Sequence, residues 1–108
     1  MNFELSDDHR AIQENVRAIT DLFDDDYWTR AEQEERFPEE WYRAMADAGW
    51  LGITMPPEFG GAGLGVLEAA VMMHTVASGG GAMAAVSSIH INLFGPHPIV
   101  VMGTPEQK

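Results

Sequence analysis

The residues of this chain with most chemistry to offer are His74, His90 and His97, the pair Ser87-Ser88, and a run of glycines at Gly61-x-Gly63-x-Gly65. The histidines lack the H-x-x-x-H or H-E-x-x-H spacing that sets two ligands on one helical face, and no cysteine assists them, so no metal site is expected. The serines have no nucleophile-elbow context. The glycines do not follow the dinucleotide spacing behind a strand, nor are they joined by the Gly-Lys-Ser/Thr of a phosphate loop, and they read as a structural turn. Glu58 and Glu68 fall on a loop surface and in a helix's first turn, so no catalytic residue is assigned. What remains is a surface. Val86, His90 and Phe94 recur at helical spacing with Ser87 beside them, so the four share one face. Read blandly, Val86 and Phe94 are core residues, and His90 is satisfied by a neighbouring backbone or hydroxyl group.

The elements that carry that face are unusual. Residues 69–105 hold no Asp, Glu, Lys or Arg. The segment reads as a helix AAVMMHTVA, the triplet Gly79-Gly80-Gly81, and a second helix AMAAVSSIHINLF ending at Gly95-Pro96. Helices apolar or small all round are buried on all sides or lie in a membrane. Polar groups and glycines interrupt every window long enough to span a bilayer, so burial in protein is expected. A chain of 108 residues has too little other material to cover both helices, which predicts one layer of something larger.

Charge is uneven. The net charge is −11, with −9 on residues 1–50 and −2 on the remainder. Phosphate backbones are repelled, which argues against nucleic acid. The acidic half reads as a solvated face. Without cysteine there is no disulfide frame, which fits a reducing cytoplasm, and MNFELSDDHR lacks the order of a signal peptide.

In chain order, Ser6 with Asp7-Asp8 starts a helix whose stripe is Ile12, Val16, Ile19 and Phe23. Asp24-Asp25-Asp26 weakens it, and residues 27–36 read as a connector or frayed extension. Phe37-Pro38-Glu39-Glu40 starts a second helix with Trp41, Met45 and Ala48 as its buried stripe and Gly49 as its stop. The loop GWLGITMPPEFGGAGLG carries large apolar groups that must be pinned to a core, its glycines supplying positive φ or close approach. A third helix covers 66–78, a fourth about 82–94, and a short fifth opens at Pro98. Thr104-Pro105-Glu106-Gln107 makes a capping-box start for a sixth, and such a start at the last residues predicts a truncated chain. The expected fold class is all-α, an orthogonal bundle of about five helices forming a single domain over 1–108.

The order of these signals, R-F-P-E-E-W, then the glycine-rich loop, then N-L-F-G-P-H-P-I-V-V-M-G-T-P-E-Q-K, resembles the N-terminal helical domain of the acyl-CoA dehydrogenases. The loop and the closing P-I-x-x-x-G-T-x-E-Q-K are its most specific parts. The resemblance covers nearly the whole chain, but only the first part of a three-domain enzyme with a β-barrel-like middle domain and a C-terminal four-helix domain.

The resemblance implies FAD-dependent α,β-dehydrogenation of an acyl-CoA, with homo-oligomers and an electron-transfer flavoprotein as partners. It places the catalytic glutamate and most flavin contacts beyond this chain, so the chain alone is expected to hold no FAD and to be inactive. It also places Val86, Ser87, His90 and Phe94 on one wall of the acyl pocket. An alternative with no enzymatic role also fits: a helical module that docks, or self-associates, through its uncharged helices. Either way, the apolar area predicts self-association of the chain alone.

Overall fold

The computed structural model describes all residues, 1–108, and is all-α. Helix α1 spans Asp7–Thr20, α2 Asp25–Gln33, α3 Glu39–Asp47, α4 Val66–Ala77, α5 Ala82–Ile89, α6 Ile91–Phe94 and α7 His97–Met102, so five helices reach eight residues or more. Short 3₁₀ turns at Trp50–Gly52 and Pro57–Phe59 lie in the long loop between α3 and α4.

Ser6 caps α1 as its position predicts, its hydroxyl accepting from the His9 amide at 3.2 Å. The supposed connector at 27–36 is instead helix α2. The Asp24 carboxylate accepts from the Tyr27 amide at 2.9 Å, so the aspartates that weaken one helix start the next. Trp28 and Ala31 are its buried face. In α3, Trp41 and Met45 are fully buried, but Ala48 is exposed because it sits past the helix end as the chain turns away at Gly49, whose φ of 87° is left-handed.

Trp41 is the hub of an aromatic cluster. Phe23 and Trp28 meet it edge-on at centroid distances of 5.6 and 5.7 Å, and Tyr27 meets Phe23 at 4.8 Å. Such edge-to-face pairs each add about 0.5–1.5 kcal/mol beyond the area they bury. Around this cluster α4 packs between α1 and α5, and α5 also meets α3. The two buried threonines, Thr20 and Thr75, donate their hydroxyls to the carbonyls of Val16 and Val71, so neither is left unpaired.

The long loop is pinned as its composition predicts. The Ile53 side chain is fully buried, and Gly61 lies so close to Met55 that a Cβ there would sit 2.1 Å from the Met55 carbonyl oxygen. Gly81 serves the same end, since a Cβ on it would sit 2.4 Å from the Trp28 ring.

Burial on all sides is not what α4 and α5 reach. One side of each is packed, with Met72, Val76 and Ile89 fully buried, while Val66, Leu67 and Met83 stay exposed. The reason is material: α1 and α3 cover one side, and nothing in the chain lies against the other. The domain is a slab of 42 × 41 × 21 Å. Its surface of 7040 Å² exceeds the roughly 6,000 Å² of a compact monomer of this mass. No helix is long and apolar enough to cross a membrane.

Candidate functional site

The face predicted from spacing lies on α5 and α6, which are not one continuous helix. In an unbroken helix the Ser87 carbonyl would take the Ile91 amide; here it takes Nδ1 of His90 at 3.0 Å. The ladder breaks at His90, and α6 resumes with the Leu93 amide bonded to the His90 carbonyl at 3.0 Å.

The break keeps His90 and Phe94 on one side, their rings tilted at 47° with centroids 5.1 Å apart. Phe94 is 60% exposed, Ser87 is exposed, His90 is half-buried, and Val86 is half-buried against the core. Sequence reasoning passed over Met83 and Ile91, both exposed large hydrophobics on the same flank. The signal was available, since Met83, Ser87 and Ile91 follow one another at four-residue intervals. Phe94 also walls a hollow of about 440 Å³ between α6–α7 and the start of α4, with Leu64, Val66, Leu93 and His97. Val86, Ser87 and His90 do not line it.

The other flank of α5–α6 is tied down. Ser88 Oγ accepts from Trp41 Nε1 at 3.0 Å and donates to the Ala85 carbonyl at 2.7 Å. Asn92 Nδ2 donates to the Tyr42 hydroxyl at 3.2 Å. These bonds fix α5 and α6 against α3 and thereby orient the outward face.

Charge stays away from that face. The carboxylate that precedes it in the chain, Glu68, sits at the α4 N-terminus, 3.5 Å from His9 Nε2. Its own backbone amide and then His9 hold its carboxyl below the usual value, while partial burial opposes them. No three His, Asp or Glu side chains gather closely enough to hold a metal. In the glycine-rich loop the amides of Gly60, Gly61, Ala62, Gly63 and Leu64 are spent on the carbonyls of Pro57, Pro56, Gly52, Met55 and Ile53, so the turn is held by its own backbone. The arrangement offers a mixed apolar and polar face that carries no Asp, Glu, Lys or Arg of its own segment.

Comparison with known proteins matches this architecture. The family model described as acyl-CoA dehydrogenase, N-terminal domain, covers residues 6–108. An acryloyl-CoA reductase (NADH) of Anaerotignum propionicum is 32% identical over the whole chain, which covers 27% of that protein. A probable acyl-CoA dehydrogenase of Bacillus subtilis is 28% identical over the whole chain and 28% of its own length. The mitochondrial short-chain specific acyl-CoA dehydrogenase of Bos taurus is 29% identical over 97% of the chain and 25% of its own length. The chain thus spans about a quarter of the curated relatives it matches. No solved structure gives a significant match. Helix order, the pinned glycine-rich loop and the family match agree: the chain belongs to the acyl-CoA dehydrogenase family, as its N-terminal domain.

Proposed function

We propose that this domain supplies one wall of the acyl pocket in an FAD-dependent acyl-CoA dehydrogenase, with Val86, Ser87, His90 and Phe94 facing the acyl chain and Met83 and Ile91 extending the wall. The observation that carries this reading is the uncovered face of α5–α6. Met83, Ile91 and Phe94 are 68%, 59% and 60% exposed on elements whose opposite flank is fully engaged. Large apolar groups held out from a fixed scaffold form a surface made to be covered. A flavin bound elsewhere in the enzyme would supply the redox chemistry, as acceptor of the hydride from the acyl β-carbon. This chain's part is to position the acyl group and to exclude water from one side of it.

The rest of the enzyme is the middle and C-terminal domains that the family resemblance implies, assembled as a cytoplasmic homo-oligomer that passes electrons to an electron-transfer flavoprotein. The chain 1–108 by itself is expected to bind no flavin, turn over no substrate and self-associate. Sedimentation and flavin absorbance read this directly; a clean monomer, or a yellow one, contradicts it.

The test of function is flavin bleaching in the flavin-loaded enzyme that carries this domain, across a panel of acyl-CoAs of increasing length. Phe94→Ala is expected to move the optimum toward longer or bulkier acyl groups, since it empties the far end of the wall. An unchanged optimum removes the face from the pocket.

A further inference from the structure

The outward flank of α5–α6 carries two polar atoms, His90 Nε2 and Ser87 Oγ, that no other group of the domain bonds. On the inward flank Ser88 and Asn92 are bonded to Trp41 and Tyr42. On the outward flank His90 is held by one nitrogen only: Nδ1 lies 3.0 Å from the Ser87 carbonyl. A carbonyl can only accept, so Nδ1 carries the proton, and in the neutral ring Nε2 is left as a bare lone pair. The Phe94 ring at 5.1 Å limits where the imidazole can swing. The Ser87 hydroxyl, one turn before His90, is exposed and makes no bond within the chain. No charged residue between positions 69 and 105 competes for either group.

A wall shaped for a plain hydrocarbon chain would seal these two groups from water without a partner, which is costly. Resting on the reading of α5–α6 as an acyl-pocket wall, we propose that the acyl group this enzyme takes bears a hydroxyl substituent, which donates to His90 Nε2 and accepts from Ser87 Oγ. A hydroxyl does both at once. A carboxylate offers only acceptors and would face the Nε2 lone pair, and a methylene offers nothing. His90 is then the specificity-determining residue, set by its own bond to the Ser87 carbonyl.

The experiment uses the flavin-loaded enzyme and pairs of acyl-CoAs matched in length, one plain and one hydroxylated at successive carbons, and reads the ratio of kcat/KM within each pair. One matched pair is expected to favour the hydroxylated member by about tenfold, the effect of one well-made hydrogen bond. His90→Leu should abolish or invert that ratio, Ser87→Ala should reduce it, and His90→Gln, whose amide oxygen can accept from a hydroxyl, should restore part of it. Melting temperatures taken alongside separate loss of recognition from loss of fold. Bleaching by both members of every pair at equal rates overturns the proposal and leaves the acyl-CoA reading standing. So does a preference that survives His90→Leu. No bleaching by any acyl-CoA removes the reading itself, and the proposal with it.

Discussion

The two halves of this domain are stabilised by different means. In residues 1–50, α1 and α2 each carry a side-chain cap, and the ion pairs Arg10–Glu4, Arg36–Glu34, Arg36–Glu40 and Arg43–Glu39 all lie there. The aromatic cluster is there too. In α4–α7 no helix has a side-chain cap, and no ion pair joins two residues of that half. Ten of the fourteen exposed large hydrophobics lie from Phe59 onward, which decides what that half is for. The first half is finished for contact with water. The second is left open on one side.

The sharpest way to break that contrast is to truncate one large aromatic in each half. Trp41→Ala removes a fully buried ring on which Phe23 and Trp28 pack, at a cost of about 3–5 kcal/mol. Whole domains hold only about 5–15 kcal/mol in all, so this variant should lose a large share of the stability and unfold at a much lower urea concentration. Phe94→Ala, in the open half, should change the unfolding free energy read from urea melts by less than about 0.5 kcal/mol, the usual scale for an exposed site. Equal losses in the two melts would show that the open face is packed after all.

The contrast narrows to a single helix at Ser87 and Ser88. Ser88→Ala takes the acceptor from Trp41 Nε1 and is expected to cost about 1–3 kcal/mol for the stranded donor. Ser87→Ala loses no side-chain bond and should stay within about 0.5 kcal/mol of the parent in the same melts. If Ser88→Ala is as mild as Ser87→Ala, the inward flank is not what fixes the face.

Much of this was legible in the residues, and the exceptions share a cause. Helix α1, the Trp41–Met45 stripe and the pinned loop follow from local signals: a capping serine, apolar groups at helical spacing, and glycines among large apolar side chains. Helix α2 was missed because aspartate has two meanings. Within a helix it is a poor former, and just ahead of one it is a cap, as Asp24 is for Tyr27. The break at His90 could not be read from spacing, since it depends on a ring nitrogen taking a carbonyl that the backbone would otherwise use. The capping box at Thr104 is half made: the Gln107 side chain accepts from the Thr104 amide at 2.9 Å, but only a turn forms. Periodicity groups Val86, Ser87, His90 and Phe94 on one side of the segment. That Met83 and Ile91 are exposed beside them needed the exposure of each to be seen, because an apolar residue on a helix reads first as core.

The smallest expected effect is electrostatic and belongs to the finished half. Glu40 bonds its own backbone amide in the first turn of α3, accepts from the Tyr27 hydroxyl at 2.9 Å and pairs with Arg36 at 3.0 Å. In that order these hold its carboxyl below the ordinary 4.5. A carboxyl lowered in the folded state adds stability above its unfolded value and loses it as pH falls through the folded value. The domain should therefore weaken below about pH 4.5, and Glu40→Gln should flatten that acid limb slightly. At the other end, burial and then the contact with Glu40 raise Tyr27 against the opposing bond to the Trp41 amide. A phenol so raised adds stability that is lost as pH climbs beyond 10. Glu40→Gln removes the charge that helps raise it, so the alkaline limb should shift in the same variant. Parallel pH–melting curves at both ends would mean that the Tyr27–Glu40–Arg36 cluster is mere surface decoration, no better anchored than the open half it was contrasted with.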